Sequence, residues 1–264
     1  MSGSQVRLSL EGHVARVTLA RPEVRNAFNA ELIESLRETF AGLAAQPPEE
    51  LRAVVLAGDG PFFSAGADVE WMRAAIGLSL EENRRDAAAM HSMFNAIDTC
   101  PVPVIARVQG GAIGGGMGLC AVSDIVVATS GSVFGFTETR LGLLPAVIST
   151  FVLRKIGESH ARALFATGER FNAEHARLIG LVHQVVEDEG ALDSRISVIA
   201  HDLRSAGPTA GRATKALIRE LRGRTAADAA ALTIARIAEQ RTSAEGQEGL
   251  TAFTEERAPS WSGD

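Results

Sequence analysis

The residues with the greatest chemical potential lie in two stretches of similar design. In the first, an apolar strand (Val104, Ile105, Ala106, Val108) runs into Gly110-Gly111-Ala112-Ile113-Gly114-Gly115-Gly116, and an apolar helical run follows over 117–122. In the second, a strand over 53–57 enters a glycine-containing loop, 58–68, that ends at a helix start. Consecutive glycines let a backbone turn sharply and meet a ligand with no Cβ in the way. The first N–H groups of a helix have no internal partners, so they can point at developing negative charge. Two such turns at one sheet edge can aim two N–H donors at a single oxygen. The spacing also allows a surface connection at 58–68 and a tight packing turn at 114–116. A third feature is Glu138, in Phe134-Gly135-Phe136-Thr137-Glu138 and followed by Leu141, Leu143 and Leu144. A carboxyl buried in that apolar setting has its pKa raised toward the range of acid–base work. Composition alone would make the same residue a surface glutamate at a helix start. The glycine run does not fit a phosphate loop. No Gly-Lys-Ser/Thr follows it, and Gly111 to Gly116 lacks the dinucleotide spacing.

Elements of both kinds must carry these residues. Val6, Leu8 and Leu10 alternate, and a second strand follows over 14–19 after a turn at Glu11-Gly12, which predicts a hairpin. Asn29 caps a helix carrying Leu32, Ile33, Leu36, Phe40 and Leu43. Ser79 and Glu82 have capping-box spacing at the head of a long helix over 79–98. A further strand is expected at 125–128. Beyond Pro145 the pattern is helical around 147–156, 159–165 and 173–179, with a short strand at 182–186 and a helix over 193–204. Gly207-Pro208 is the best boundary, before helices near 209–221, 225–240 and 243–254. Periodicity alone suggests an α/β fold with a doubly wound sheet. Arg212, Lys215, Arg219 and Arg222 share one helical face, which reads as solvated, with a nucleotide-phosphate contact as the alternative.

Composition excludes several classes. The chain has 264 residues and a net charge of −6, so it lacks the basic footprint of a nucleic-acid binder. Apolar residues make up 46%, an ordinary value for a soluble globular chain, and no apolar run reaches the length of a membrane span. Cys100 and Cys120 lack metal spacing and read as free thiols of a reducing compartment. The six histidines are scattered, so no metal site is expected. Met1-Ser2-Gly3-Ser4 lacks the features of a secretory signal. A cytoplasmic protein is expected.

Three pieces in this order, Phe63-Ser64-Ala65-Gly66-Ala67-Asp68, Gly114-Gly115-Gly116 and Phe134-Gly135-Phe136-Thr137-Glu138, resemble the enoyl-CoA hydratase/isomerase (crotonase) family. The resemblance runs from Arg21-Pro22-Glu23-Val24-Arg25-Asn26-Ala27-Phe28-Asn29 to Ala252-Phe253. Residues 137–149 are most similar to methylglutaconyl-CoA hydratases. The resemblance implies a spiral of ββα units over 1–206 and a helical oligomerisation region over 207–264, in a homotrimer or dimer of trimers. It implies an acyl-CoA thioester substrate, with coenzyme A part of the substrate and no separate cofactor. Ala67 and Gly115 match the family's two oxyanion donors, and Glu138 matches its second catalytic glutamate. The first glutamate would stand at Gly118, where room is expected for a branched or carboxylated acyl group. Arg25, Ala27, Ala65, Asp68, Val69, Gly114, Gly118 and Leu143 match substrate-lining positions. Family members often carry lysine near positions 70 and 256. Here Glu70 and Glu256 stand there, which leaves Arg25 or Arg257 to meet the phosphates. Three functions follow: hydration of a 2-enoyl-CoA such as 3-methylglutaconyl-CoA, isomerisation of a 3-enoyl-CoA with a single glutamate, or acyl-CoA binding without catalysis.

Overall fold

The computed structural model describes residues 4–262, so Met1 to Gly3 lie outside the described residues. A hairpin of β1 (Val6–Glu11) and β2 (Val14–Leu19) opens the chain, and α1 (Ala30–Ala44) and β3 (Ala53–Gly58) follow. Next come α2 (Val69–Ala74), α3 (Leu80–Asp98), β4 (Val104–Val108), β5 (Gly111–Ile113), α4 (Gly115–Val122) and β6 (Ile125–Thr129). Then β7 (Val133–Gly135), α5 (Ala146–Thr167), β8 (Arg170–Asn172), α6 (Ala173–Leu178), β9 (Gln184–Val186) and α7 (Glu189–Ser205) complete the spiral. Three helices close the chain: α8 (Pro208–Glu220), α9 (Ala226–Thr242) and α10 (Ala244–Thr254).

Six strands form one sheet in the order β1-β2-β3-β4-β6-β9, and β5-β7-β8 form a second. Only the β1–β2 pair of the large sheet is antiparallel; its other pairs are parallel. The expected doubly wound sheet is therefore corrected. After β4 the chain leaves the large sheet for β5 and returns at β6, and it does the same through β7 and β8 before β9. This repeated excursion is the spiral, and strand periodicity carries no record of it. Leu8 and Leu10 are exposed despite their alternation, because β1 is the outer strand of the hairpin.

Caps fall where side-chain chemistry puts them. Asn29 accepts the N–H of Leu32, and Ser79 and Glu82 form a reciprocal capping box. The two helices expected at 147–156 and 159–165 are both present within α5, and they meet at a non-helical break at Gly157, where φ is 73° and ψ 166°. Leu32, Leu36 and Phe40 of α1 pack with Phe94 and Ile97 of α3 in the main core, beneath the sheet edge that carries the two glycine turns. Helices α8 and α9 bury no residue, and α10 buries only Ala252.

Candidate active site

The two glycine turns touch. Ser64 N–H donates to Gly111 O (3.3 Å), and Ile113 N–H donates to Ser64 O (3.0 Å). A Cβ built on Gly66 would lie 3.0 Å from Gly115 N. The approach is closest at Gly110, where a Cβ would sit 2.0 Å from Pro61 O, and a Cβ on Gly116 would sit 2.5 Å from Ser64 O, distances no side chain tolerates. The N–H of Ala67 and that of Gly115 have no hydrogen-bond acceptor among the described residues. Gly115 opens α4, so its free N–H carries the positive end of the helix dipole.

Glu138 comes from the second sheet. Gly114 N–H donates to Gly135 O (2.9 Å), which fixes the end of β7 against the turn into α4. A 3-10 turn over Glu138–Leu141 follows, closed by Leu143 N–H on Glu138 O (3.1 Å). Gly114 has φ 53°, and a Cβ there would lie 3.4 Å from Glu138 Oε1, so the carboxylate sits directly over the glycine turn. Glu138 Oε2 is buried with no hydrogen-bond partner. Burial pushes this carboxyl above the usual carboxylate range.

Ala67, Gly115 and Glu138 line one cavity of about 330 Å³. Ala65, Gly114 and Leu143 line it too. The remaining expected lining residues do not. Asp68 is buried in an ion pair with Arg21, Val69 points outward, Ala27 is buried, and Arg25 lies over the Phe62 ring. Gly118 requires a correction. Its Cβ would meet Ile148 Cγ2 at 2.5 Å and Phe94 at 2.7 Å, so the expected room is already filled by core side chains. The basic face of α8 is solvated in part: Arg219 and Arg222 are exposed as read, whereas Arg212 donates to Pro47 O and Leu51 O, and Lys215 pairs with Asp124. Arg257 is engaged by Glu248 and Glu255.

The cavity wall also holds residues that motif matching does not reach: Trp71, Met72, Asn83, Asp86, Met90 and Ile148. Asn83, Asp86 and Met90 recur at helical spacing on α3. That face looks solvated in sequence because Asn and Asp interrupt it. Neither Cys100 nor Cys120 joins the site; both are buried, and burial pushes the Cys120 thiol up to about 12.

Two unpartnered N–H groups in the wall of one cavity beside a carboxylate, on a fold of repeated ββα turns, are the arrangement of an enzyme of the crotonase type. The chain belongs to the enoyl-CoA hydratase/isomerase family, whose sequence model matches residues 9–264. A crotonyl-CoA hydratase of Syntrophomonas wolfei is 32% identical over 97% of each chain. An enoyl-CoA hydratase from Shewanella pealeana superposes with TM-score 0.92 at 36% identity, covering 97% of this chain and 96% of the other. Pseudomonas aeruginosa AtuE superposes at 0.94, also at 36% identity, over 98% of this chain and 100% of its own.

Proposed function

We propose that the chain hydrates a 2-enoyl-CoA, with Ala67 and Gly115 N–H groups binding the thioester oxygen and Glu138 handling the proton. Polarising the carbonyl draws electrons from the double bond and makes Cβ electrophilic. Glu138 as carboxylate takes a proton from water as the hydroxide adds to Cβ. The enolate then takes that proton at Cα, so one carboxyl serves as base and acid in turn. The observation that carries this reading is the Glu138 carboxylate over the turn that holds Gly115, with Oε1 against Gly114 and Oε2 buried and unpartnered. The names of the relatives support hydration over the 3-enoyl isomerase reading, which the lone carboxylate at the donors also fits. The experiment is turnover of wild type on 2-enoyl-CoA and 3-enoyl-CoA thioesters, followed by the conjugated thioester absorbance. Activity on the 3-enoyl substrate alone would reverse the choice of reaction, and activity on neither would leave acyl-CoA binding.

The cavity supports an uncharged acyl group. Trp71, Met72, Met90, Leu143 and Ile148 form apolar wall, and Asp86 adds a carboxylate. Among the described residues no Lys, Arg or His lines the cavity to receive a second carboxylate. A 3-methylglutaconyl group would face like charge there. A panel of branched monocarboxylic and dicarboxylic enoyl-CoAs separates the two, with the uncharged thioesters expected to turn over faster.

Ile218, Ile234, Ile237, Leu250 and Phe253 are exposed on α8, α9 and α10, which bury almost nothing within the chain. We propose that further copies cover this surface in a trimer or dimer of trimers. Light scattering at micromolar concentration tests this, and a monomer mass would refute it.

A further inference from the structure

The N–H of Ala67 can serve only if its direction is fixed, and the helix that follows it offers little packing to fix it. Ala67 precedes Asp68, the cap of α2, and α2 buries none of its residues. The backbone supplies the first restraint. Gly66 O accepts from Phe28 N–H (2.6 Å), and Asp68 N–H donates to Phe28 O (2.9 Å). A trans peptide is planar, so anchoring the Gly66 carbonyl turns the Ala67 N–H to the opposite side. Those two bonds form an isolated bridge between Phe28 and Ala67, with no neighbouring ladder to hold it.

A side chain spans the bridge. The Arg21 guanidinium donates through Nη1 to Ala27 O (2.5 Å) and through Nη2 to Asp68 Oδ2 (2.8 Å). Ala27 directly precedes Phe28, and Asp68 directly follows Ala67, so one planar group ties together both strands of the bridge. The Arg21 and Asp68 side chains are only 13% and 7% exposed, so water screens the pair little. Asp68 Oδ1 accepts Glu70 N–H (2.8 Å), which uses the other oxygen of the carboxylate. Arg21 is itself held: its N–H donates to Asn26 Oδ1 (3.0 Å), and Asn26 Nδ2 grips Asp59 O and Phe62 O. Burial disfavours the Asp68 charge, yet the bonds from Arg21 and Glu70 N–H hold its carboxyl below the usual range.

We propose that Arg21 and Asp68 are positioning residues that aim the Ala67 N–H at the thioester oxygen, rather than substrate contacts. The inference rests on the oxyanion reading above. A group that aims a donor acts on the polarised state of the carbonyl more than on ground-state binding.

The test uses the purified full chain, wild type, Asp68→Asn and Arg21→Lys. Asparagine keeps an oxygen for the Glu70 N–H and loses the charge; lysine keeps the charge and loses the planar fork. Asp193→Asn is the control. It takes one acid from a second buried guanidinium, Arg107, which Asp193 holds at 2.6 Å from α7. Two readouts are taken: kcat and KM on an accepted enoyl-CoA, and the absorption maximum of a bound, unreactive aryl-conjugated enoyl-CoA, which moves to longer wavelength as its carbonyl is polarised. Expected in Asp68→Asn and Arg21→Lys is a kcat lower by about 10–100-fold, short of the cost of deleting a donor. KM stays within about threefold, and most of the wavelength shift is lost. Asp193→Asn keeps both readouts. Arg21→Lys decides the matter if Asp68→Asn does not fold. A shift retained in both site variants overturns the clamp and leaves the oxyanion reading standing. A shift lost equally in Asp193→Asn overturns the clamp as general destabilisation. A wild type with no shift removes the oxyanion reading and the clamp with it.

Discussion

Around the turn into α4, every residue from Gly116 to Val122 is buried, whereas α2, at the end of the other turn, buries none of its six residues. The turn into α4 is held by contact. Backbone approaches too close for a Cβ lock Gly111 against Val133 and Gly116 against Ser64. The turn into α2 shares in that contact at Ser64 and at Gly66, which meets Ile113 O, but beyond Gly66 its donor is held by polar bonds, from Phe28 on the backbone and from Arg21 on Asp68. Two donors that face one cavity are thus fixed by different physics. A packed turn is intolerant of added volume. A clamped turn is intolerant of lost charge, and its helix surface stays free to vary.

The largest expected effect bears on the carboxylate that sits over the packed turn. Glu138→Gln is expected to lower turnover by roughly 10²–10⁴-fold, the usual worth of a positioned acid–base group, with acyl-CoA binding retained. Full activity in that variant would take Glu138 out of the mechanism. Next comes the packed turn itself. Gly116→Ala drives a Cβ into Ser64 O, so a stability loss of about 1–3 kcal/mol is expected. Turnover should fall with it, since Ser64 belongs to the loop that carries Ala67; denaturant melts beside steady-state rates check both. An unchanged variant would mean that contact does not hold this turn.

Gly118→Glu restores the family glutamate in sequence only. Its side chain must displace Ile148 and Phe94, so a lower melting temperature and no gain in hydration are expected. A rate increase would show that the cavity can open there. The pH dependence follows from Glu138. Hydration needs its carboxylate, and burial raises its pKa, so kcat/KM should fall as pH drops through a midpoint above the usual carboxylate range. Stability has the opposite sign. The folded state holds this proton more tightly than the unfolded chain, so stability declines as pH rises from the usual carboxylate range through the raised value. Glu138→Gln should therefore remove the acid limb of the rate and melt at a higher temperature above that pH. The smallest effect is expected on the clamped turn's surface: Val69→Ala, outward on α2, should change stability by no more than about 0.5 kcal/mol. A large loss there would mean that α2 is held by contact after all.

Local chemistry was legible in the residues. Asn29, the Ser79–Glu82 pair and Pro208 mark helix starts because capping depends on neighbours within one turn. The strand-to-glycine-to-helix order at 53–70 and 104–122 marked the two turns, the family resemblance singled out Ala67 and Gly115 within them, and the apolar setting of Glu138 foretold the direction of its pKa. What only the tertiary structure decided depends on residues far apart in the chain. The spiral arises because β5, β7 and β8 leave the main sheet to pair with one another, and pairing partners leave no periodic trace. The space at Gly118 is set by Phe94 and Ile148, two dozen or more residues away on either side. Asp68 matched a substrate-lining position in sequence, and only the fold brings Arg21 to 2.8 Å from it. A glycine run states that the backbone can come close; which atoms it comes close to is a property of the packed core.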